Sequence, residues 1–202
     1  AKAIAGKYSI SLSPVIEACF RMETPKTLGN VETIVTGSVR ELCAAAAEAC
    51  NALGYMPYIL TDSLNCEARE AGAFLAAIAR AHQNTDRSLA FLAGGETVVH
   101  LTGSGMGGRN QELALSAAEG IAGLRDTAVF SIGSDGTDGP TDAAGGFVTG
   151  QTKDDLGKKG IQIFDVLKNN DSYHALKLCD GLLHTGATGT NVNDVAVLLI
   201  RR

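Results

Sequence analysis

Several things are scarce or missing in this 202-residue chain, and each absence removes a class of function. Hydrophobic residues make up 45% of it, yet no run of 18 apolar residues occurs, so it reads as a globular rather than a membrane-spanning chain. Positive charge is sparse: 17 Lys and Arg against 22 Asp and Glu leave a net charge of −5, with no basic patch dense enough to neutralise several phosphates of a nucleic acid. A small, locally held anion stays compatible with that balance. The five cysteines, Cys19, Cys43, Cys50, Cys66 and Cys179, form no C-x-x-C and fall mostly in alanine-rich stretches, so they read as small core residues of a reducing, cytoplasmic compartment. Ala1 to Ser11 lacks the apolar core of a signal peptide. An initiating Met is missing too, and the chain opens on what reads as the middle of a helix, so a fragment of a longer protein is expected. No histidine pair has metal-ligand spacing, and neither a Gly-x-Ser-x-Gly elbow nor a Cys/His couple occurs. There is no internal repeat.

What is present is an alternation of periodic segments with glycine-rich turns. Residues 1–30 read as a lead-in or linker, with a short helix from Pro14 to Arg21 followed by the turn residues Glu23-Thr-Pro-Lys-Thr-Leu-Gly-Asn. Val31 to Thr36 alternates and is β-branched, which predicts a strand. Helix is predicted from Val39 to Leu53, ending at Gly54, with strand at Tyr55 to Leu60, helix at Glu67 to Ala81 and strand at Ser88 to Ala93. Gly94-Gly95 is too short for a crossover, so Glu96 to Thr102 is predicted to fold back as an antiparallel hairpin strand. Helix follows from Arg109 to Ile121 and strand from Thr127 to Ile132. Thr141 to Ala144 reads as a short helix, 153–180 as broken helical pieces, and Val195 to Ile200 as the last strand. Together these predict a three-layer α/β/α domain over residues 31–202, with a mostly parallel but mixed sheet.

Candidate chemistry concentrates between Gly94 and Gly146. Gly103-Ser-Gly-Met-Gly-Gly108 matches the dinucleotide fingerprint G-x-G-x-x-G, opens a helix, and has an acidic residue, Asp135, after the next strand. Its arrival by hairpin argues against that reading. The same residues fail as a P-loop, because Arg109-Asn110 stands where Lys-Ser/Thr is needed. A third reading is generic: glycines admit an anion to the backbone, the helix N-terminus attracts it, and Arg109 supplies a guanidinium fork. The plain alternative is a tight turn with a solvated Arg109, although a cation there opposes the helix dipole by about a few tenths of a kcal/mol. Ser134-Asp-Gly-Thr-Asp-Gly-Pro-Thr-Asp142 holds three carboxylates but fails as an EF-hand, with Pro140 in the place of the central glycine. Asp135 and Asp138 suit a Mg²⁺ site, or Asp135 a general base; Asx turns explain Asp142.

Taken together, Gly94-Gly-Glu-Thr97, Gly107-Gly-Arg-Asn-Gln-Glu-Leu-Ala-Leu115, Asp135-Gly-Thr-Asp-Gly-Pro-Thr-Asp-Ala-Ala-Gly145, Asn170-Asp-Ser-Tyr173 and Thr185-Gly-Ala-Thr-Gly-Thr-Asn-Val-Asn-Asp194 resemble the class II glycerate kinase family. They resemble in particular its C-terminal MOFRL domain, here at about residues 90–200. The resemblance implies ATP-dependent phosphorylation of D-glycerate to 2-phosphoglycerate with Mg²⁺, in a cleft between two α/β domains. By motif it carries the family's functional positions onto Glu96, Arg109, Asp135 and Asn191. Arg109, Asp135 and Glu96 are expected to be catalytic; Asn191, Asn110, Gly107 and Gly108 to bind substrate; Asp135 and Asp138 to hold metal. Ala187 stands where the family usually has proline. The N-terminal domain that carries the family's active-site lysine is expected as a further partner in the full-length protein; Lys26 in the linker is no substitute. Two rivals stay open. Some relatives bear the label hydroxypyruvate reductase, which implies an NAD(P)H-dependent enzyme, and the chain could be a half-enzyme that folds and forms a homodimer without turning over.

Overall fold

The computed structural model describes all 202 residues as two compact units, Ala1–Val35 and Thr36–Arg202. The first holds two short helices, α1 (Lys2–Lys7) and α2 (Pro14–Cys19). Ser13 caps α2 by accepting the Ile16 N–H at 3.4 Å, and Pro14 sits in the first turn, where a missing N–H costs nothing. No residue of this unit is buried. Val31 to Thr36, expected as a strand, forms none. β-branched residues favour a strand only when a neighbouring edge and a half-buried face are available to them.

The second unit begins with α3 (Val39–Ala52), capped by Ser38, whose Oγ accepts the Arg40 N–H while bonding the Glu41 carboxylate. There follow β1 (Met56–Leu64), α4 (Ala68–Ala81), β2 (Leu89–Gly95), α5 (Arg109–Ile121) and β3 (Thr127–Gly133). The remainder is β4 (Gly145–Thr149), α6 (Thr152–Lys158), α7 (Ile163–Lys168), α8 (Ser172–Leu178), the two-residue β5 (Leu182–Leu183) and β6 (Asp194–Ile200). The six strands form one sheet in the order β1-β2-β6-β3-β4-β5.

The layered α/β/α architecture and the mixed sheet agree with the sequence reading; the balance of strand directions does not. Only β1 and β2 pair in parallel, and the other four pairings are antiparallel. The crossovers through α4 and α5 do leave β1, β2 and β3 running the same way. However, β6 inserts between β2 and β3, antiparallel to both, and converts what would be a parallel neighbour pair into two antiparallel ones. Local patterning carries the direction of a crossover but not the insertion of a strand 60 residues downstream.

The hairpin after β2 is also absent. Gly95, at φ +153°, lies so close to β1 that a methyl group there would sit 2.2 Å from the Leu64 carbonyl oxygen. The chain therefore continues alongside 64–68 instead of folding back: Glu96 N–H donates to Leu64 O, Val98 N–H to Cys66 O, and Ala68 N–H to Val98 O. Thr141 to Ala144 forms no helix and leads into β4, whose register pairs Phe147 with Phe130.

Two apolar clusters sandwich the sheet. On one face α4 and α5 bring Leu75, Leu113, Leu115 and Ile121 against Phe91, Val129, Leu198 and Ile200. On the other, α3 brings Cys43 and Cys50 against Ala90, Leu92, Val195 and Val197. Truncating a fully buried leucine of such a core costs about 2–5 kcal/mol, so these contacts set the frame on which the loops at the strand ends are held.

Candidate functional site

The carboxyl ends of β2 and β3, the start of β6 and the N-terminus of α5 meet at one edge of the sheet. In an open α/β sheet this is where ligands bind. Asp194 opens β6 in register with Gly95 of β2 on one side and Gly133 of β3 on the other. Arg109 opens α5 and reaches Asp194 with two hydrogen bonds, Nε to Oδ2 at 2.5 Å and Nη2 to Oδ1 at 3.0 Å. Glu96 approaches the same Nη2 at 3.5 Å. The Asp194 bond, strengthened by the charges of Asp194 and Glu96, holds the guanidinium pKa above its ordinary value against the opposing effect of burial. These carboxylates also explain a cation in the first turn of a helix.

Asp135 stands beside this group. Its Oδ1 accepts the Thr137 N–H at 2.9 Å and the Thr137 hydroxyl at 3.0 Å, an Asx turn; its Oδ2 accepts the Asn191 Nδ2 at 3.2 Å. The 188–193 segment is stitched to the β3 turn by Thr188 N–H to Asp135 O, Val192 N–H to Ser134 Oγ and Ser134 N–H to Asn193 O. Gly133 links the two halves: a methyl group there would lie 3.3 Å from Asp135 Oδ1 and 3.4 Å from Asp194 Oδ1. Glu96, Arg109, Asp135 and Asn191 thus converge, as the motif reading expects, and Asp194, which that reading passes over, ties them together.

The other expected site residues turn inward. Asp138 is 1% exposed, and its carboxylate accepts the Asn110 N–H at 3.1 Å and the Gln111 N–H at 2.9 Å. It occupies the helix N-terminus that the sequence reading leaves for a substrate anion. Sealed from solvent and bonded to the first N–H groups of α5, it serves the N-terminus of that helix. Burial pushes its pKa up, against the hydrogen bonds from Asn110 and Gln111. Asn110, also buried, donates Nδ2 to Asp138 and accepts the Ser131 hydroxyl at 2.5 Å. A methyl group on Gly108 would meet the Asp138 carboxyl carbon at 2.3 Å, and one on Gly107 the Ser172 hydroxyl at 2.1 Å. These glycines admit protein, not ligand.

The same holds for the whole loop before α5. Asn170 Oδ1 accepts Thr102 N–H at 2.7 Å and Gly103 N–H at 2.9 Å, Asn169 Oδ1 accepts Ser104 N–H, Asn169 O accepts Gly105 N–H, and Asp171 Oδ1 accepts Met106 N–H at 2.9 Å. Five consecutive N–H groups that could cradle a pyrophosphate are spent on the turn before α8. Asn170 Nδ2 continues inward to Glu112 Oε2 at 3.1 Å and His100 O at 3.1 Å. Glu112, 2% exposed, faces Arg69, which also contacts Glu67. At 2.7 and 3.3 Å these Arg69 contacts are close, but they lack hydrogen-bond alignment and hold the cluster by charge. Burial nonetheless raises the Glu112 pKa above its ordinary value.

Asp194, Asn170 and Glu112 left a trace in the sequence, since each lies in one of the quoted blocks. Their roles depend on register and long-range pairing, which spacing does not carry. No three His, Cys, Asp or Glu side chains are arranged so that they could hold a metal ion between them. Of the two aspartates expected to hold metal, Asp135, half-buried and bonded by Thr137 and Asn191, is the more accessible.

Fold and site define an α/β/α domain with an arginine and three carboxylates gathered at the ends of its crossover strands. The chain belongs to the MOFRL family, whose model matches residues 89–194. It is 50% identical over 198 residues to a protein of Thermotoga maritima named D-glycerate 2-kinase, covering 96% of this chain and 48% of that one. A crystal structure of a glycerate kinase from Thermotoga maritima superposes with a TM-score of 0.85 at 49% identity, covering 99% of this chain and 49% of its own. A protein of Agrobacterium vitis named putative hydroxypyruvate reductase is 36% identical over 99% of this chain and 54% of its own length. The chain thus spans about half the length of the curated relatives it matches. No helix is long and apolar enough to cross a membrane.

Proposed function

We propose that this chain forms one wall of the active site of an ATP-dependent glycerate kinase that converts D-glycerate and ATP to 2-phosphoglycerate and ADP. The convergence of Glu96, Arg109, Asp135, Asn191 and Asp194 at the sheet edge carries this reading, together with relatives named for that activity. In it, the C2 hydroxyl oxygen of glycerate attacks the γ-phosphorus, the bond from that phosphorus to the β,γ-bridging oxygen breaks, and Asp135 receives the hydroxyl proton. Arg109 holds the glycerate carboxylate or the charge spread over the transferring group. Asn191 orients Asp135, to which it donates Nδ2, and would hold substrate oxygens. Asp138, Asn110, Gly107 and Gly108 support α5 without touching ligand. Mg²⁺, when bound at Asp135 with the phosphates, would neutralise charge on the transferring group.

Residues 1–30 are read as the connection from an N-terminal domain that supplies the opposite wall, and this chain alone is expected to be inactive. The five free cysteines accord with a cytoplasmic setting. The loop matching the dinucleotide fingerprint is filled by Asn169, Asn170 and Asp171, so the reductase reading rests on the names of relatives alone. The test is to mix the protein with ATP, Mg²⁺ and D-glycerate and assay ADP, with and without an added N-terminal domain, and NAD(P)H loss with hydroxypyruvate in parallel. ADP formation only on complementation supports the proposal. NAD(P)H consumption without ADP formation overturns it in favour of the reductase, and a dimer with neither activity favours the half-enzyme. In the active assembly, Arg109→Ala should lower kcat/KM by about 10²–10⁴-fold; a loss under about threefold removes Arg109 from the reaction.

A further inference from the structure

We infer that Arg109 has one permanent and one exchangeable partner: Asp194 is the positioning residue that aims the guanidinium, and Glu96 is a stand-in carboxylate that the substrate carboxylate displaces. The inference rests on the kinase reading and deepens it by naming which carboxylate yields.

The two carboxylates differ in every respect that governs exchange. The Asp194 side chain is 8% exposed and uses both oxygens on Arg109, at 2.5 and 3.0 Å. Its backbone is paired on both sides, with Gly95 of β2 and Gly133 of β3, so it cannot swing away without opening the sheet. The turn before it is set as well: Asn193 takes φ +65°, and its N–H is held by Asn191 Oδ1 at 3.1 Å. Glu96 is 57% exposed, projects from the irregular segment after β2, and touches only Nη2, at 3.5 Å, beyond good hydrogen-bond distance.

The geometry of guanidinium supplies the rest. Its five N–H groups present two forks suited to a carboxylate, one at Nε and one Nη, the other across the two Nη atoms. Asp194 fills the first. Glu96 sits off one side of the second, so an incoming α-hydroxy carboxylate can take that fork bidentately, replacing one negative charge by another. The glycerate carboxylate is thereby assigned to the Nη1/Nη2 edge of Arg109, and its displacement of Glu96 is part of binding.

The experiment follows the ¹⁵N–¹H signals of Arg109 during titration with D-glycerate, alongside steady-state kinetics of the active assembly. The Nε–H signal should stay in place while the Nη signals move. Glu96→Gln should lower KM for D-glycerate about three- to tenfold. Asp194→Asn should lower kcat by about 10²-fold and cost little further in an Arg109→Lys background, a non-additivity that a purely structural role would not produce. A raised KM in Glu96→Gln, or additive losses for Asp194→Asn and Arg109→Lys, overturns the division. Should Asp194→Asn fail to fold, the wild-type titration still decides, because loss or large displacement of the Nε–H signal on saturation overturns it. Nη signals that respond to D-glycerate, with no ADP formed even when the N-terminal domain is added, overturn the kinase reading and uphold the assignment of partners.

Discussion

Two buried carboxylates, Asp138 and Glu112, give this fold a pH dependence opposite in sign to that of a salt-bridged surface acid. For both, burial is the largest influence on the pKa and raises it, outweighing the hydrogen bonds that lower it. An acid whose pKa is higher folded than unfolded binds its proton more tightly when folded. Its stabilising contribution is full below the ordinary carboxylate range and is lost as pH rises through the raised folded value. Glu112→Gln keeps an oxygen for Asn170 Nδ2 and removes the titration. Urea unfolding at pH about 4, 5.5 and 7 should therefore show the variant gaining on the wild type as pH rises, and a difference independent of pH would refute the raised pKa. Arg109 and Asp135 were legible in the sequence because a charge at a helix mouth or in an Asp-Gly turn is locally unusual. Asp194 and Glu112 were not. One begins an apolar run and the other sits in a helix with glutamates elsewhere, and only the sheet register and the Asn170 contact single them out.

Among the elements, the segment from Glu96 to Gly108 depends least on its own backbone. It has no regular structure, and its N–H groups from Thr102 to Met106 are all taken by residues 169–171. Asn170 is the centre of that contact and adopts φ +55°, a left-handed conformation that asparagine tolerates. Asn170→Gly keeps the conformation and deletes the amide, leaving Thr102 N–H, Gly103 N–H and Glu112 Oε2 without it, at a cost of about 2–4 kcal/mol. Asn170→Ala adds left-handed strain of about 1–2 kcal/mol. Urea midpoints of the two variants should rank alanine below glycine below wild type; a glycine variant within about 0.5 kcal/mol of wild type would mean that water replaces the amide. The regular elements were the readable ones. Apolar periodicity placed α5 at Arg109 to Ile121 and brought β3 and β6 within a residue of their ends, whereas the path after Gly95 follows from contact with Leu64, far away in sequence.

For the whole molecule, the order β1-β2-β6-β3-β4-β5 makes the last strand the centre of the sheet, so the site closes only when β6 has inserted and brought Asp194 between Gly95 and Gly133. Long-range pairing of this kind is invisible to local pattern, which explains why the sheet read as mostly parallel. The unit Thr36–Arg202 carries its own core: every residue of both apolar clusters lies between Val39 and Ile200, and none of residues 1–35 is buried. Stability resides in apolar area removed from water, so a chain lacking residues 1–35 should unfold cooperatively, with a free energy within about 1 kcal/mol of the intact chain. The slope of that free energy with urea scales with the surface exposed on unfolding, and it should fall only slightly, because the deleted residues expose little that was hidden. A broad, non-cooperative transition, or a slope reduced by about a third or more, would show that residues 1–35 are part of the cooperative fold and would remove the basis for reading residues 1–30 as a connection.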